Sequence, residues 1–325
     1  MDVTFLFRHE LARERNRKTK GGILGGDETA MASRMLIGLI GANIQKSLAP
    51  ALHEDAFAAA GVAGHYHLMD AATLQGRRLE NLLAAARTAG FAGVNITHPF
   101  KEAVIPLLDA VSTEATEIGA VNTVVFDKSG RTTGHNTDCS GFRQAFIETF
   151  GADAVRGKPV LLLGAGGAGR AVAVALMALG ASTVRIYDQD QVRATGLCAD
   201  LIMRFGADRC ELLTDPETAA EQVAGIVNAT PVGMTGYPGL PLPVRLIQKH
   251  HLVADVIYTP IDTKFVLAAQ KKGCRTMNGG GMCVHQAVDA FRHFTGLVPD
   301  VARMKRTFET ACAARDAASA TGGPK

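Results

Sequence analysis

The most constraining feature of this chain is a glycine-rich segment, GAGGAG at residues 164–169, that follows an apolar run and opens an alanine-rich stretch. A G-x-G-x-x-G pattern between a strand and a helix is typical of a dinucleotide-binding βαβ unit. Gly164 permits a tight turn, Gly166 lets the backbone approach a pyrophosphate, and Gly169 lets the helix pack on the strand. The pattern therefore predicts a Rossmann-type unit near residues 159–188, with phosphate groups at the start of its helix.

The strand that follows this helix ends in Asp188, about 20 residues beyond the last glycine of the motif. A carboxylate at that position accepts hydrogen bonds from the ribose hydroxyls and repels a 2′-phosphate. Arg193 lies shortly after it and would compensate only in part. The sequence therefore favours NAD over NADP as the cofactor.

Apolar runs and amphipathic stretches alternate from Met35 onwards, at a spacing typical of parallel sheets covered by helices. This predicts an α/β protein with a parallel-sheet substrate domain and a Rossmann-type dinucleotide-binding domain. Two extended runs predict a hairpin within residues 120–138, and Pro99 is expected to open a helix over residues 99–109. The expected segments are a poorly ordered extension (1–34), the substrate-binding domain (35–139 and 283–315), the NAD(P)-binding Rossmann domain (140–282) and a loose tail (316–325).

Composition narrows the classes of partner. The net charge is only +3, from 34 Lys+Arg and 31 Asp+Glu, so nothing in the charge indicates nucleic acid or an anionic membrane surface as the main partner, and neither is expected. No window approaches 18 consecutive apolar residues, so no transmembrane helix is expected. The 6 cysteines show no C-x-x-C spacing and indicate buried thiols in a reducing, cytoplasmic compartment. No metal site is predicted.

Two polar segments of the first domain suit the chemistry of a dehydrogenase. Oxidation of a secondary alcohol needs a hydride acceptor and a group that takes the hydroxyl proton. Lys101, in the segment NITHPFK, is expected in the first turn of a helix, where the helix dipole disfavours its charged form. Asp138, at the end of GHNTD, lies at the predicted domain junction, where it would meet Lys101.

Taken together, these segments resemble the shikimate/quinate dehydrogenase family over about residues 36–315, and most closely its NAD-preferring quinate/shikimate members. The likeness is carried, in the family's order, by NITHPFK, AVNTVV, GHNTD, GAGGAG, NATPVGM and GGGMCVHQAVDAF. It implies the reversible oxidation of the C3 hydroxyl of quinate or shikimate to the 3-dehydro acid, with hydride transfer to nicotinamide. The implied partners are these small molecules, and the implied assembly is a monomer or a homodimer.

The resemblance also implies roles for single residues. Lys101 and Asp138 form the catalytic pair, and which of the two takes the proton stays open because a close pair titrates jointly. The substrate would be bound by Ser47, through its carboxylate, and by Asn95, Thr97, Asn122, Tyr258 and Gln286. The cofactor would be bound by Gly164, Gly166, Gly167, Ala168, Gly169, Asp188, Arg193, Thr230 and Gly281.

The sequence departs from the family pattern at one position and leaves rival functions open. The family usually has S-x-S or S-x-T before the proline that opens the first helix, whereas this chain reads Ser47-Leu48-Ala49-Pro50. The rivals are a biosynthetic NADP-dependent shikimate dehydrogenase, an enzyme for an aminoshikimate, and a non-catalytic ligand-sensing protein on the same scaffold. Asp188 argues against the first rival, and the retention of both Lys101 and Asp138 argues against the last.

Overall fold

The first of two sheets contains six strands in the order β2-β1-β3-β5-β6-β4. The computed structural model describes residues 34–73 and 78–321, with side chains as far as residue 317. β5 pairs antiparallel with β3 and β6, which confirms the predicted hairpin, while the other pairs are parallel. The strands are β1 (Arg34–Gly41), β2 (Ala63–Asp70), β3 (Gly93–Ile96), β4 (Ala110–Val111), β5 (Thr123–Phe126) and β6 (Thr132–His135).

The second sheet also has six strands, in the order β12-β11-β10-β7-β8-β9, and all of its pairs are parallel. β7 reads VLLL and is wholly buried, as expected for a parallel strand covered on both faces. The strands are β7 (Val160–Leu163), β8 (Val184–Tyr187), β9 (Cys210–Leu212), β10 (Gly225–Asn228), β11 (Leu252–Asp255) and β12 (Arg275–Met277). The predicted α/β architecture is confirmed.

Nine α-helices cover the two sheets in the part of the chain that the structure describes. They are α1 (Ala49–Ala59), α2 (Leu79–Thr88), α3 (Thr113–Ile118), α4 (Asp138–Phe150), α5 (Gly167–Ala178), α6 (Gln191–Phe205), α7 (Lys264–Lys271), α8 (Gly279–Thr295) and α9 (Val301–Thr321). α9 therefore extends into the segment 316–325 that was expected to be loose. Residues 322–325, and residues 1–33 of the expected extension, lie outside the described residues.

One predicted helix is wrong. Residues 101–104 form turns and Ile105–Leu107 a single 3-10 turn, where an α-helix was expected over residues 99–109. Pro106 explains the difference, because it has no N–H to donate to the carbonyl of Glu102 and its ring clashes with that position. Lys101 consequently lies in a turn, so the expected effect of a helix dipole on its charge does not apply.

α4 and α8 pack closely against each other beside both sheets. A Cβ added at Gly141 of α4 would lie 2.8 Å from the backbone nitrogen of Gln286 in α8. The other side of α4 presents Phe142, Phe146 and Phe150 to the core that surrounds β7. Each buried phenylalanine contributes about 2–3 kcal/mol from area removed from water, so this helix anchors the edge of the first sheet to the second.

The prediction of six free thiols is wrong for two cysteines. Cys198 of α6 and Cys210 of β9 form a disulfide, with their Cα atoms 5.6 Å apart. The two elements are joined by a short connection and pack on each other, which brings two buried residues together without any C-x-x-C spacing. The free cysteines among the described residues are Cys139, Cys274, Cys283 and Cys312.

Candidate active site

Lys101 and Asp138 meet at the edge of the first sheet that faces the second. The Lys101 Nζ donates to Asp138 Oδ2 at 2.5 Å, and the two side chains are 18% and 7% exposed. Lys101 follows the carboxyl end of β3, and Asp138 is the first residue of α4. A largely buried, charge-assisted hydrogen bond of this kind brings together an amine that can donate a proton and a carboxylate that can accept one, as acid–base chemistry requires.

Asn136 fixes the position of Asp138. Its Oδ1 accepts from the backbone N–H groups of Asp138 at 3.0 Å and Cys139 at 3.1 Å, and its Nδ2 donates to the carbonyl of Ala120 at 2.8 Å. The first amides of α4 are thereby satisfied, and the aspartate stands at a defined place at the helix start. Asn136 was not among the predicted site residues, although an asparagine just before a helix is a recognisable capping signal.

Lys101 also contacts the glycine-rich turn of the second sheet. Its backbone carbonyl accepts from the N–H of Val121 at 2.8 Å, which anchors the turn that carries it. Its side chain lies so close to Gly167 that an added Cβ there would be 3.0 Å from the Lys101 Cβ. The candidate catalytic pair is therefore directly beside the predicted cofactor loop.

Asn95 and Asn122 belong to one buried polar network. Asn95 Nδ2 donates to the carbonyl of Asn122 at 3.2 Å and to Thr123 Oγ1 at 3.0 Å. Asn122 Oδ1 accepts from the N–H of Thr137 at 2.8 Å and from Thr123 Oγ1 at 3.1 Å. The phenol of Tyr66 donates to Asn95 Oδ1 at 2.9 Å. Sequence reasoning missed Tyr66, Thr123 and Thr137, since only the sheet register brings them to the two asparagines.

Ser47 lies in the loop between β1 and α1, and its Oγ accepts from the N–H of Ala49 at 3.3 Å. The loop packs against the segment that leads to Lys101, because the N–H of Ala42 donates to the carbonyl of His98 at 3.0 Å. A Cβ added at Gly41 would lie 2.3 Å from the methyl group of Thr97. Ser47 and Thr97 are thus carried by two segments in contact.

The buried carboxylate of Asp70 shapes the same loop. It accepts from the N–H groups of Asn43 at 2.9 Å, Ile44 at 3.0 Å and Ala72 at 3.0 Å, and from Gln45 Nε2 at 3.1 Å. Burial raises the pKa of Asp70, but these hydrogen bonds outweigh it and hold the pKa below the usual range. Asn43 adopts a left-handed backbone with φ of 59°, which asparagine tolerates.

Tyr258 and Gln286 approach the site from other elements. Tyr258 follows β11, and burial raises the pKa of its phenol, as do the nearby Cys283 and Asp138. Gln286 lies on α8, and its Nε2 donates to the carbonyl of Cys283 at 2.9 Å. Among the described residues, neither Ser47 nor Gln286 hydrogen-bonds to the asparagine network.

The glycine-rich turn fits a dinucleotide. Gly164 has φ of +102°, and a Cβ there would lie 2.8 Å from the backbone carbonyl carbon of Ala229. A Cβ at Gly169 would lie 2.1 Å from the Gly164 carbonyl oxygen, whereas a Cβ at Gly166 would meet nothing within 4 Å. Close packing thus explains the outer glycines, and open space at the N-terminus of α5 suits a pyrophosphate on the amides of Gly167 and Ala168.

Asp188 stands at the edge of this turn. Its Oδ2 accepts from the N–H of Ala165 at 2.7 Å, and its Oδ1 accepts from the N–H of Asp190 at 2.9 Å. Arg193 pairs with Asp190, with Nε 3.3 Å from Oδ2. The Asp188 carboxylate is therefore fixed at the edge of the glycine-rich turn, and the Arg193 guanidinium lies beside a second carboxylate.

Of the two remaining predicted cofactor residues, Thr230 borders the same turn and Gly281 packs against α4. Thr230 follows β10, and its Oγ1 donates to Asn228 Oδ1 at 2.7 Å. A Cβ at Gly164 would be 2.9 Å from the Thr230 nitrogen, so Thr230 borders the turn directly. A Cβ at Gly281 would lie 3.0 Å from the Cβ of Ala145, so this glycine also serves the close packing of α8 on α4.

Neither a metal cluster nor a membrane span is found in the described part of the chain. No group of three or more His, Cys, Asp or Glu side chains there is placed to hold a metal ion. No helix there is both long and apolar enough to cross a membrane.

Comparison with known proteins identifies the family. Residues 39–124 match the family model described as the shikimate dehydrogenase substrate binding domain. A protein of Corynebacterium efficiens named quinate/shikimate dehydrogenase (NAD(+)) is 46% identical over 84% of this chain and 97% of its own length. A shikimate dehydrogenase (NADP(+)) of Streptomyces avermitilis is 46% identical over 83% of this chain and 93% of its own length.

Solved structures agree with these relatives. The quinate dehydrogenase from Corynebacterium glutamicum in complex with NAD has a TM-score of 0.79 and 44% identity, and the match covers 86% of this chain and 99% of that one. The resemblance inferred from the sequence motifs is thereby confirmed, and the chain belongs to the shikimate/quinate dehydrogenase family.

Proposed function

We propose that this chain is an NAD(P)-dependent dehydrogenase that reversibly oxidises the C3 hydroxyl of quinate or shikimate to the 3-dehydro acid. The contact of Lys101 with Asp138, directly beside the glycine-rich turn at Gly167, carries the proposal. This contact supports the assignment of Lys101 and Asp138 as a proton-transfer pair, at the point where a substrate alcohol and a nicotinamide would meet. The relatives named for quinate and shikimate support the substrate class.

The cofactor supplies the hydride acceptor when bound, and the chain's own residues bind the cofactor and transfer the proton. The amides at the start of α5 would bind the pyrophosphate, and Asp188 would accept from the ribose hydroxyls. Lys101 and Asp138 receive the proton of the C3 hydroxyl as it leaves and return it in the reverse direction. The Lys101 Nζ donates to Asp138 Oδ2 at 2.5 Å, so a proton taken up by one group has a direct path to the other.

The polar network gives the site its selectivity. Asn95, Asn122 and Thr97 lie on the same sheet edge as Lys101, and Ser47 is held against that edge by its loop. We propose that these residues, with Tyr258 and Gln286, bind the ring hydroxyls and the carboxylate of the substrate. A pocket of buried hydrogen-bonding groups rejects analogues that lack the matching hydroxyls, because its own groups would then be left unpaired.

NAD is the preferred cofactor in this proposal. The Asp188 carboxylate would repel a 2′-phosphate, and Arg193, paired with Asp190, offers that phosphate little compensation. The NAD complex of the related quinate dehydrogenase supports this preference. A relative named shikimate dehydrogenase (NADP(+)) supports the biosynthetic alternative.

The test crosses both substrates with both cofactors in steady-state assays. We expect a higher kcat/KM with NAD than with NADP for quinate and for shikimate. In Asp188→Asn, the ratio of kcat/KM with NAD to kcat/KM with NADP should be smaller. Asp153→Asn, on the surface near α4, is the charge-matched control. A preference of the unmodified enzyme for NADP would favour the biosynthetic alternative, and no turnover of either acid would refute the proposal.

We further propose a substrate-binding domain of residues 35–139 and 283–315 around a Rossmann domain of residues 140–282, in a cytoplasmic monomer or homodimer. The two separate sheets support the division of the chain. Sedimentation velocity of the purified protein measures the assembly state.

A further inference from the structure

Tyr66 reaches the polar network from the edge strand of the first sheet. It lies on β2, and β1 separates that strand from β3, which carries Asn95. The phenol nevertheless donates to Asn95 Oδ1 at 2.9 Å, and the tyrosine is only 2% exposed. Burial raises the pKa of this phenol, and the neighbouring Tyr258 and Cys283 raise it further, so its hydroxyl keeps its proton and remains a donor.

The ring of Tyr66 is held by a buried histidine. The imidazole of His53, on α1, stacks on it with ring centroids 4.8 Å apart and an interplanar angle of 16°. His53 is 1% exposed, and burial lowers its pKa to about 3, so the imidazole is neutral. Phe291 packs beside the histidine, with the two ring centroids 6.3 Å apart. The stack leaves the phenol little freedom to turn away from Asn95.

The hydrogen bonds of Asn95 determine what it still offers to a ligand. Both protons of its Nδ2 have acceptors inside the protein, the Asn122 carbonyl and Thr123 Oγ1. One lone pair of its Oδ1 is taken by Tyr66. The amide is therefore fixed in one orientation, and its remaining capacity is a single acceptor site.

Asn122, in contrast to Asn95, has a hydrogen-bond donor left for a ligand. Its Oδ1 already accepts from the N–H of Thr137 and from Thr123 Oγ1, while its Nδ2 makes one hydrogen bond within the described part of the chain, to Thr137 Oγ1 at 2.9 Å. One amide proton is left to donate. The two asparagines thus present one acceptor beside one donor, which matches a hydroxyl group, since a hydroxyl donates and accepts.

We propose that Tyr66 is a substrate-positioning residue that locks Asn95 as an acceptor, so that Asn95 and Asn122 together select a ring hydroxyl. The proposal deepens, and rests on, the dehydrogenase function proposed above. It implies discrimination against a substrate with a protonated amine at that ring position, because an ammonium group has no lone pair for the Asn122 amide proton.

The test compares Tyr66→Phe with Thr132→Val, a control that removes a different buried hydroxyl of the same sheet. Thr132 Oγ1 donates to Asp109 Oδ2 at 3.0 Å and is outside the network. We expect Tyr66→Phe to raise the KM for quinate or shikimate about 3- to 10-fold, with kcat changed less than about twofold. The KM for NAD should not change, and the control should leave both constants unaltered.

A second variant and a double mutant make the test independent of folding losses. Thr123→Val removes one of the two acceptors of the Asn95 amide and should also raise the substrate KM. In an Asn95→Ala background, Tyr66→Phe should have no further effect, because the group that it positions is gone. An analogue of quinate or shikimate in which that ring hydroxyl is replaced by an amine should bind to the unmodified enzyme at least about tenfold more weakly than the hydroxy acid, as measured by competition.

Three results would overturn the inference: an unchanged substrate KM in Tyr66→Phe, an equal rise in the Thr132→Val control, or a full Tyr66→Phe effect in the Asn95→Ala background. An unmodified enzyme that turns over neither acid would instead refute the proposed function, and the inference with it. The two failures are distinguishable because the unmodified enzyme is assayed first.

Discussion

Lys101 and Asp138 show how single residues acquire a chemical role from their surroundings. Lysines are usually solvated, but this one is 18% exposed, donates to a buried carboxylate and lies against a glycine of the other sheet. Asp138 owes its position to Asn136, which caps the helix that begins there. Both members of the pair are therefore held by hydrogen bonds to their own backbone, Lys101 through its carbonyl and Asp138 through its N–H.

Replacing Lys101 by alanine should lower kcat by about 10²- to 10⁴-fold, the usual contribution of a positioned acid or base. The affinity for NAD should change little, because the predicted cofactor contacts lie on other residues. Steady-state kinetics with saturating NAD measure kcat, and isothermal titration calorimetry with NAD measures the affinity. Near-normal turnover in Lys101→Ala would remove this residue from the chemistry.

The site residues that lie in sequence motifs could be predicted, whereas the residues that support them from outside the motifs could not. Lys101 and Asp138 stand in polar segments that end strands or begin helices, so their meeting was expected. Tyr66 carries no such signal: its neighbours His65 and His67 are exposed, which only indicates that Tyr66 points inward. Its hydrogen bond to Asn95 depends on the register of three strands, and register is a property of the folded sheet.

At the scale of elements, local patterns predicted the βαβ unit around the glycines and the β5–β6 hairpin, and both are confirmed. The segment after Pro99 shows the limit of such patterns. Its apolar spacing suits a helix, but Pro106 cannot donate in a second turn. The disulfide between α6 and β9 is a second example, since tertiary packing alone brings its cysteines together.

Glu148 joins three helices and should make stability depend on pH. Its carboxylate on α4 accepts from Lys305 of α9 at 2.6 Å and lies 3.1 Å from His285 Nε2 of α8. Burial raises the pKa of Glu148, but Lys305, His285 and Gln144 lower it more, to about 2. The folded pKa lies below the unfolded value, so the stabilisation is present above about pH 4.5 and is lost as the pH falls towards 2.

Glu148→Gln should therefore lower Tm by about 1–4 °C at neutral pH, and the difference should shrink below about pH 4. Thermal unfolding followed by circular dichroism between pH 2.5 and 7 measures it. Asp153→Asn removes an exposed ion pair of one short segment and should have a smaller effect. An equal Tm for Glu148→Gln and the unmodified protein at pH 7 would contradict the assignment.

At the scale of the whole molecule, ion pairs add to the packing of α4 and α8 in joining the two sheets. Arg204 of α6 lies 2.5 Å from Glu117 of α3, and Arg170 of α5 lies 3.9 Å from Glu102, the neighbour of Lys101. Beside these ion pairs, Gly167 touches the Lys101 side chain. The spacing of the two halves is thus set where the reacting groups lie.

Gly167→Ala tests this spacing. Gly167 begins α5 with helical backbone that alanine adopts, so the fold should be kept. The added methyl group would lie 3.0 Å from the Lys101 Cβ and 3.1 Å from its Cδ, and should displace the amine. We expect kcat to fall about 10- to 100-fold at saturating NAD.

Gly166→Ala gives the contrast, since its methyl group would enter open space at the helix start and should raise mainly the KM for NAD. Equal kinetic changes in the two variants would show that Gly167 does not govern the position of Lys101.

The carboxylate of Asp70 has a consequence for how this site can be altered. It holds the first part of the loop over residues 42–48 by binding the amides of Asn43 and Ile44 and the side chain of Gln45, whereas the side chain of Ser47 contributes one 3.3 Å hydrogen bond, to the N–H of Ala49. Those two positions can therefore be varied together, in natural divergence or in a designed library, on an unchanged scaffold. Acceptance of new ring acids would then be limited by the pocket's chemistry alone, with Asp70 as the one position that such a library must leave untouched.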